Sequence, residues 1–229
     1  MVVLKILGLS DLHSSGDLDV SSLSKIVEKE QIDLIIVSGD LTTFGTKSIV
    51  KNVLVKLNQI NKPVFYIPGN MDSRNSSDFT FENITPLHGR VINYLGFNFL
   101  GLGASNPTSF MTPYELSEEE LKEILDQALN ELSSADPLIF ISHTPPLNSE
   151  ADIIRNGKHV GSSVVRAFVE KEKPVVILCG HIHESKSIAK IADTLCINPG
   201  AARHRDATII EIEKDSKGNA QANGRLITF

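Results

Sequence analysis

Two hydrophobic rhythms alternate along this chain. Val2–Leu9 is a continuous apolar run broken only by Lys5, and Asp33–Val37 and Val64–Ile67 are further short apolar runs. Between them, Ser21–Glu30 places Leu23, Ile26 and Val27 on one helical face, and a second helical segment covers Ser48–Ile60. Buried strands separated by helices of this length predict βαβ units and a parallel sheet. The texture then changes. Arg90–Tyr94 and Phe97–Gly101 read as two short strands turned at Leu95-Gly96, and a loop rich in Gly, Ser, Asn and Pro runs from Gly101 to Pro113. Ser117, with Glu120 at the capping-box position, opens the strongest helix. A second series follows: strand Leu138–Ile141, helix Ser162–Lys171, strand Pro174–Cys179, then strands near Ser187–Ile191, Leu195–Asn198 and Ala207–Glu213. A polar hairpin, Lys214–Gly224, and a last strand, Arg225–Phe229, end the chain. No linker divides the two series. The pattern predicts one α/β domain over residues 1–229, built from two β/α-rich halves whose sheets pack together with helices outside.

Charge narrows the partners. The formal net charge is −6, so there is no basic footprint for nucleic acid or an anionic membrane. A phosphate compound would need local positive charge from metal ions or a few arginines. Cys179 and Cys196 lie in apolar runs and read as buried free thiols rather than a disulfide framework. The opening MVVLKILGLSDLH lacks a cationic leader and a small-residue cleavage site, so it reads as a first strand, and the expected location is cytoplasmic. No apolar run approaches the length of a membrane span. Asn75-Ser76-Ser77 and Asn83-Ile84-Thr85 match the glycosylation pattern but mean little without a secretion signal.

Chemistry gathers where the apolar runs stop. The first ends in Ser10-Asp11-Leu12-His13, the second in Ser38-Gly39-Asp40, the third in Pro68-Gly69-Asn70-Met71-Asp72. In the second half PLIFIS ends in His143, and PVVILC ends in Gly180-His181-Ile182-His183. Open α/β sheets place their sites at these carboxyl ends. Any one of these residues has an ordinary explanation as a turn or strand-end group. Together they form a constellation of seven nitrogen and oxygen ligands, more than the roughly four of one tetrahedral zinc. They suit two ions sharing a bridging carboxylate, and the absence of cysteine ligands points to Mn, Fe or Zn. Two such ions clamp a phosphoryl group and lower the pKa of a bridging water, which then attacks phosphorus.

Asp11-x-His13, Gly39-Asp40, Gly69-Asn70-x-Asp72, His143 and Gly180-His181-x-His183 together resemble the calcineurin-like metallophosphoesterase superfamily, in order and over nearly the whole chain. The resemblance implies a four-layer α/β/β/α sandwich of two packed mixed sheets with flanking helices. Carried over position by position, it implies a first metal held by Asp11, His13, Asp40 and His183. A second would be held by Asp40, Asn70, His143 and His181, with Asp40 bridging.

The family pattern has histidine, supported by the next acidic residue, where this chain has Met71 followed by Asp72. The resemblance implies that this histidine contacts the phosphate or protonates the leaving oxygen. Methionine has no proton to give, and loss of a general acid costs about 10²–10⁴-fold in rate, most for poor leaving groups. Three readings stay open: a nearly inactive metal-binding scaffold or regulatory protein, a diesterase activated mainly by its metals, and relocation of the acid to His159 or His204. Compact prokaryotic members with another residue here resemble phosphodiesterases, which favours the second. His143-Thr144-Pro145-Pro146, Asp152 and His159 also resemble the neighbourhood of class III cyclic-nucleotide phosphodiesterases. His159 and the helix start near Ser162 are candidates to face an anion, against an ordinary N-cap and a solvated loop histidine. Arg203, beside His204 after Asn198-Pro199-Gly200, is a candidate for a bidentate phosphate contact. His88 reads as structural. The expected catalytic set is Asp11, Asp40, Asn70, Asp72 and His143. The expected substrate contacts are Asn70, His159, Arg203 and His204, the substrate a small phosphodiester, and the oligomeric state stays open.

Overall fold

Alternation within the strands builds the layers. In the computed structural model, which describes residues 1–229 apart from Asp17 and Ser77, β1 (Val2–Leu9) sends Leu7 and Leu9 to one side and Leu4 and Ile6 to the other. β2 (Leu34–Ser38) divides Ile35 and Val37 from Leu34 and Ile36 in the same way. Successive side chains point to opposite faces, so a strand apolar at every position needs a packed layer on both. On one side lie Leu23 and Val27 of α1 (Val20–Glu30) and Val50, Val53, Leu54 and Leu57 of α2 (Lys47–Asn58).

The other side meets a second sheet. Phe97 and Phe99 of β6 (Phe97–Leu102), Ile139 and Ile141 of β7 (Leu138–Ser142) and Val176 and Leu178 of β8 (Val176–Leu178) share one cluster with Leu4, Ile6, Leu34 and Ile36. The outer face of that sheet packs Leu100, Leu102, Phe140 and Ile177 against Leu121 and Leu125 of α3 (Glu118–Leu129) and Val165 and Phe168 of α4 (Ser163–Glu172). This is the expected α/β/β/α sandwich.

Among the described residues each sheet has six strands. With β3 (Val64–Ile67), β4 (Ile84–Pro86), β11 (Asp206–Lys214) and β12 (Ala220–Thr228), the first runs β12-β11-β1-β2-β3-β4. With β5 (Val91–Tyr94), β9 (Ser187–Ile191) and β10 (Thr194–Asn198), the second runs β5-β6-β7-β8-β10-β9. β1 to β4 are mutually parallel, as are β6, β7, β8 and β10.

Two expectations need correction. The halves of the chain are not the two sheets: β11 pairs antiparallel with β1, from Val2↔Lys214 to Gly8↔Thr208, and so completes the first sheet. The polar hairpin is also shorter than expected. Asp215 Oδ1 accepts the amides of Lys217 and Asn219, and pairing resumes at Lys214↔Ala220, which makes Ala220–Gly224 strand. That stretch alternates between half-buried and exposed positions and carries little apolar signal. β4 has no sequence signal of its own because it is a three-residue edge strand ending in Pro86, tolerated only at an edge.

Local signals otherwise hold. Leu95 and Gly96 both take positive φ, 50° and 76°, as a two-residue hairpin requires. Ser117 Oγ accepts Glu120 N at 3.2 Å while Glu120 Oε2 accepts Ser117 N at 2.7 Å, the reciprocal cap of α3. Cys179 and Cys196 are buried free thiols. Among the described residues no helix is long and apolar enough to cross a membrane. The Asn75-Ser76-Ser77 match reaches Ser77, outside the described residues.

Candidate metal centre

The parallel strands of both sheets stop at one end of the sandwich, and their next residues converge there. Asp11 follows β1, Asp40 follows β2, Asn70 follows β3, His143 follows β7, and His181 and His183 follow β8. His183 Nε2 lies 3.0 Å from Asp11 Oδ1 and 3.2 Å from His13 Nε2. Asp40 Oδ2 stands between the two groups, 3.7 Å from His13 Nε2 and 3.5 Å from His143 Nε2. His143 Nε2 is 2.9 Å from Asn70 Oδ1, and the rings of His143 and His181 meet edge to face at 5.2 Å. All seven residues singled out as ligands are therefore neighbours.

Backbone strain marks the same place. Asp11, His13, Asp40 and His181 have φ of 54°, 45°, 48° and 68°. The left-handed region costs a non-glycine residue on the order of 1–3 kcal/mol and persists where surroundings over-determine it, often at functional sites. The adjoining glycines allow close approach. A Cβ on Gly39 would stand 2.3 Å from His143 Nδ1, one on Gly69 2.1 Å from Asp40 Oδ1, and one on Gly180 1.8 Å from Ser10 Oγ.

Surrounding groups orient the side chains. His143 Nδ1 donates to Ser38 O at 2.8 Å, and His13 Nδ1 meets Thr43 Oγ1 at 2.9 Å, so both turn Nε2 inward. Asp11 Oδ2 accepts from Ser10 Oγ at 2.6 Å and His181 N at 3.0 Å. Burial works to raise the Asp11 pKa, but the His183 hydrogen bond and the charges of His143 and His183 hold it well below the usual carboxylate range. Burial works against protonated His143, yet Asp40, followed by Asp11, pushes it up to about 9. Burial, with His143 alongside, takes His181 down to about 4.

This donor set fits divalent cations. Asp11 with His13 and His183, and Asp11 with Asp40 and His143, each gather ligand atoms within 4.8 Å of one another. Two carboxylates, four imidazoles and a carboxamide oxygen suit borderline to hard ions. Two imidazole Nε2 atoms 3.2 Å apart beside two buried carboxylates form a pocket whose polarity a cation satisfies.

Asp72 has a clear occupation. Wholly buried, it accepts from Leu41 N at 3.0 Å, Thr42 N at 2.9 Å, Thr42 Oγ1 at 2.8 Å and Gly69 N at 2.9 Å. It therefore ties the Asp40 loop to the Asn70 loop, a role independent of the side chain at position 71. Burial and the neighbouring Asp40 push its pKa up to about 7 against these donors. Met71 is half-buried, and its N–H donates to Asp40 Oδ1 at 2.8 Å.

The candidate substrate residues divide. Arg203 Nη2 lies 3.4 Å from His183 Nδ1, at the cluster's rim, and lines a cavity of about 200 Å³ with His13, Asp19 and Arg205. His204 is exposed on the same short turn. His159 Nδ1 meets the buried Asp152 at 2.6 Å, a contact outside the cluster. Ser162 caps α4 through its hydroxyl, which accepts Val165 N at 3.1 Å. Thr112 and Glu115, which touch Asn70 directly and at one remove, carry no sequence signal, because nothing in an irregular loop distinguishes them.

His88 is structural, as read. Its Nδ1 accepts Gly103 N at 2.7 Å, which leaves the proton on Nε2 facing Tyr114 Oη at 3.0 Å. Burial, then Arg90, takes its pKa down to about 4 from 6.5. A folded pKa below the unfolded one gives stability that is complete above pH 6.5 and lost as pH falls toward 4. The loss reaches about 3 kcal/mol. Denaturant midpoints between pH 7.5 and 4.5 are expected to fall more steeply for the wild type than for His88→Gln. Equal slopes would mean that the ring is not held neutral.

The chain has relatives. The family described as Calcineurin-like phosphoesterase matches over residues 4–185. An uncharacterized protein of Methanocaldococcus jannaschii is 35% identical over 200 residues, covering 86% of this chain and 88% of the relative. A probable glycerophosphodiester phosphodiesterase of Arcobacter nitrofigilis is 26% identical over 198 residues, covering 82% of this chain and 69% of the relative. The solved structure of TT1561 of Thermus thermophilus superposes with a TM-score of 0.70 at 18% identity, covering 97% of this chain and 99% of that one, a likeness of fold. With that coverage and that relative, the chain belongs to the calcineurin-like phosphoesterase family.

Proposed function

We propose that this protein hydrolyses small phosphodiesters with two divalent metal ions, Mn, Fe or Zn, residues 1–229 acting as one catalytic unit. The observation that carries the reading is Asp40 Oδ2 standing between His13 Nε2 and His143 Nε2, the place of a bridging ligand. Asp11, His13, Asp40 and His183 would hold one ion, and Asp40, Asn70, His143 and His181 the other. When bound, the pair supplies Lewis-acid polarisation of the phosphoryl group and a water acidic enough to attack phosphorus.

The residues of the chain do the rest. Ser38 O and Thr43 Oγ1 fix the rings of His143 and His13, and Asp72 locks together the loops that carry Asp40 and Asn70. Arg203, at the rim, gives a phosphate oxygen a cationic partner. His204 and His159 are the further candidates for substrate contact and for the acid missing at position 71, His204 the nearer in sequence to the rim. Met71 gives no proton to a leaving oxygen, so substrates whose leaving group needs none are favoured. The phosphodiesterase name borne by the Arcobacter relative supports a diester over a monoester.

The test compares a bis-aryl phosphate with the matching mono-aryl phosphate on the Mn-loaded protein. Diester turnover is expected to exceed monoester turnover clearly. Met71→His is expected to narrow the gap by less than the about 10²-fold minimum of a full general acid, because Asp72 is already engaged by four donors. Failure of both esters to turn over with metal bound would favour a scaffold instead.

A further inference from the structure

Beyond the seven clustered residues, one chain of hydrogen bonds leads outward from Asn70. Its Nδ2 donates to Thr112 Oγ1 at 2.9 Å, and Thr112 Oγ1 donates to Glu115 Oε1 at 2.7 Å. Glu115 also accepts from Thr112 N at 2.8 Å, Thr108 N at 3.1 Å and Thr108 Oγ1 at 2.6 Å. Slight burial works to raise the Glu115 pKa, but these donors hold it down to about 2, so the carboxylate is charged at neutral pH. Arg74 closes the arrangement from the Asn70 side: it donates to Glu115 O at 2.9 Å, and its guanidinium carbon lies 5.2 Å from the Tyr114 ring centroid. Tyr114 N donates to Asn70 O at 3.0 Å.

The direction of each bond follows from the charge at the far end. An ionised carboxylate only accepts, so the Thr112 hydroxyl proton points at Glu115. A hydroxyl whose proton is spent offers Asn70 an acceptor, and only the NH₂ end of the carboxamide can use it. The carboxamide oxygen is thereby turned inward, where it meets His143 Nε2 at 2.9 Å. A flipped carboxamide would present NH₂ to the metal pocket and oxygen to an oxygen.

We propose that Glu115 and Thr112 are positioning residues that set the carboxamide of Asn70 with its oxygen toward the second metal, an inference that rests on the metal reading above. Neither touches substrate or metal. Their effect is on the affinity of one ion, and through it on turnover.

The test uses the full chain stripped with chelator and titrated with Mn²⁺ alone by calorimetry, for wild type, Thr112→Val, Thr112→Ser and Glu115→Gln. Wild type is expected to bind two ions. Thr112→Val is expected to weaken one of them by about 10–100-fold, as loss of an outer-shell partner typically does, and to leave the other unchanged. Thr112→Ser, which keeps the hydroxyl, restores wild-type affinity, whereas a merely structural threonine would need its methyl as well. Glu115→Gln weakens the same ion. Wild-type affinity for both ions in Thr112→Val overturns the relay while leaving the metal reading intact. Equal loss in Thr112→Ser also overturns it, because the hydroxyl is then not the operative group. A wild type that binds no Mn²⁺ overturns the metal reading itself, and the relay with it.

Discussion

Asp40→Asn is expected to lower diester turnover by about 10²–10⁴-fold, the equivalent of several kcal/mol of transition-state charge stabilisation. The substitution is nearly isosteric. Asp40 Oδ1 accepts Met71 N at 2.8 Å, and a carboxamide oxygen can keep that bond. The other side changes character: an NH₂ group replaces Oδ2 where the Nε2 atoms of His13 and His143 converge at 3.7 and 3.5 Å. A donor there opposes any cation, and one of the two buried negative charges near the cluster's centre is lost. Manganese calorimetry should show affinity falling for both ions, since this carboxylate stands between both groups. Thermal unfolding in chelator checks that the fold persists. If only one ion is lost, Asp40 is a terminal ligand and the bridging reading fails.

Gly69→Ala is expected to damage stability and metal binding together. The new Cβ would sit 2.1 Å from Asp40 Oδ1 and 2.3 Å from Asp40 N. A side-chain oxygen can rotate away, but a backbone nitrogen cannot, so the two loops must separate. Overpacking of this kind costs about 1–3 kcal/mol or more. At roughly 2–4 °C per kcal/mol for a chain of this size, the unfolding temperature in chelator should drop by about 2–12 °C. Separation also pulls on the bonds from Leu41 N and Thr42 N to Asp72, at 3.0 and 2.9 Å, which join the loops. Manganese affinity should fall in the same variant, since Asp40 moves. An unfolding temperature and an affinity equal to wild type would show that the loops are not held at this distance.

The clustered candidate ligands and the cap of α3 are legible in the order of residues alone. Strand-length apolar runs ending in Asp, Asn and His are a local pattern, and the parallel arrangement follows from helices of crossover length between them. The reciprocal cap at Ser117 and Glu120 is legible for the same reason, since its partners lie three residues apart. Partnerships between distant segments are not. β11 joins β1 across the whole chain, and an apolar strand carries no record of which sheet it will complete. Asp72 shows the limit most plainly. Its place in the motif points to support of residue 71, yet its four donors come from positions 41, 42 and 69, which only the closeness of two strand ends brings together. Thr112 and Glu115 are further cases: in sequence they are two polar residues in an irregular loop. Their significance comes from the fold, which lays that loop against Asn70. The sequence by itself determined which residues gather at the candidate site, because period and spacing are local. Tertiary structure decided which groups hold them in place, because a hydrogen bond depends on distance and direction in space.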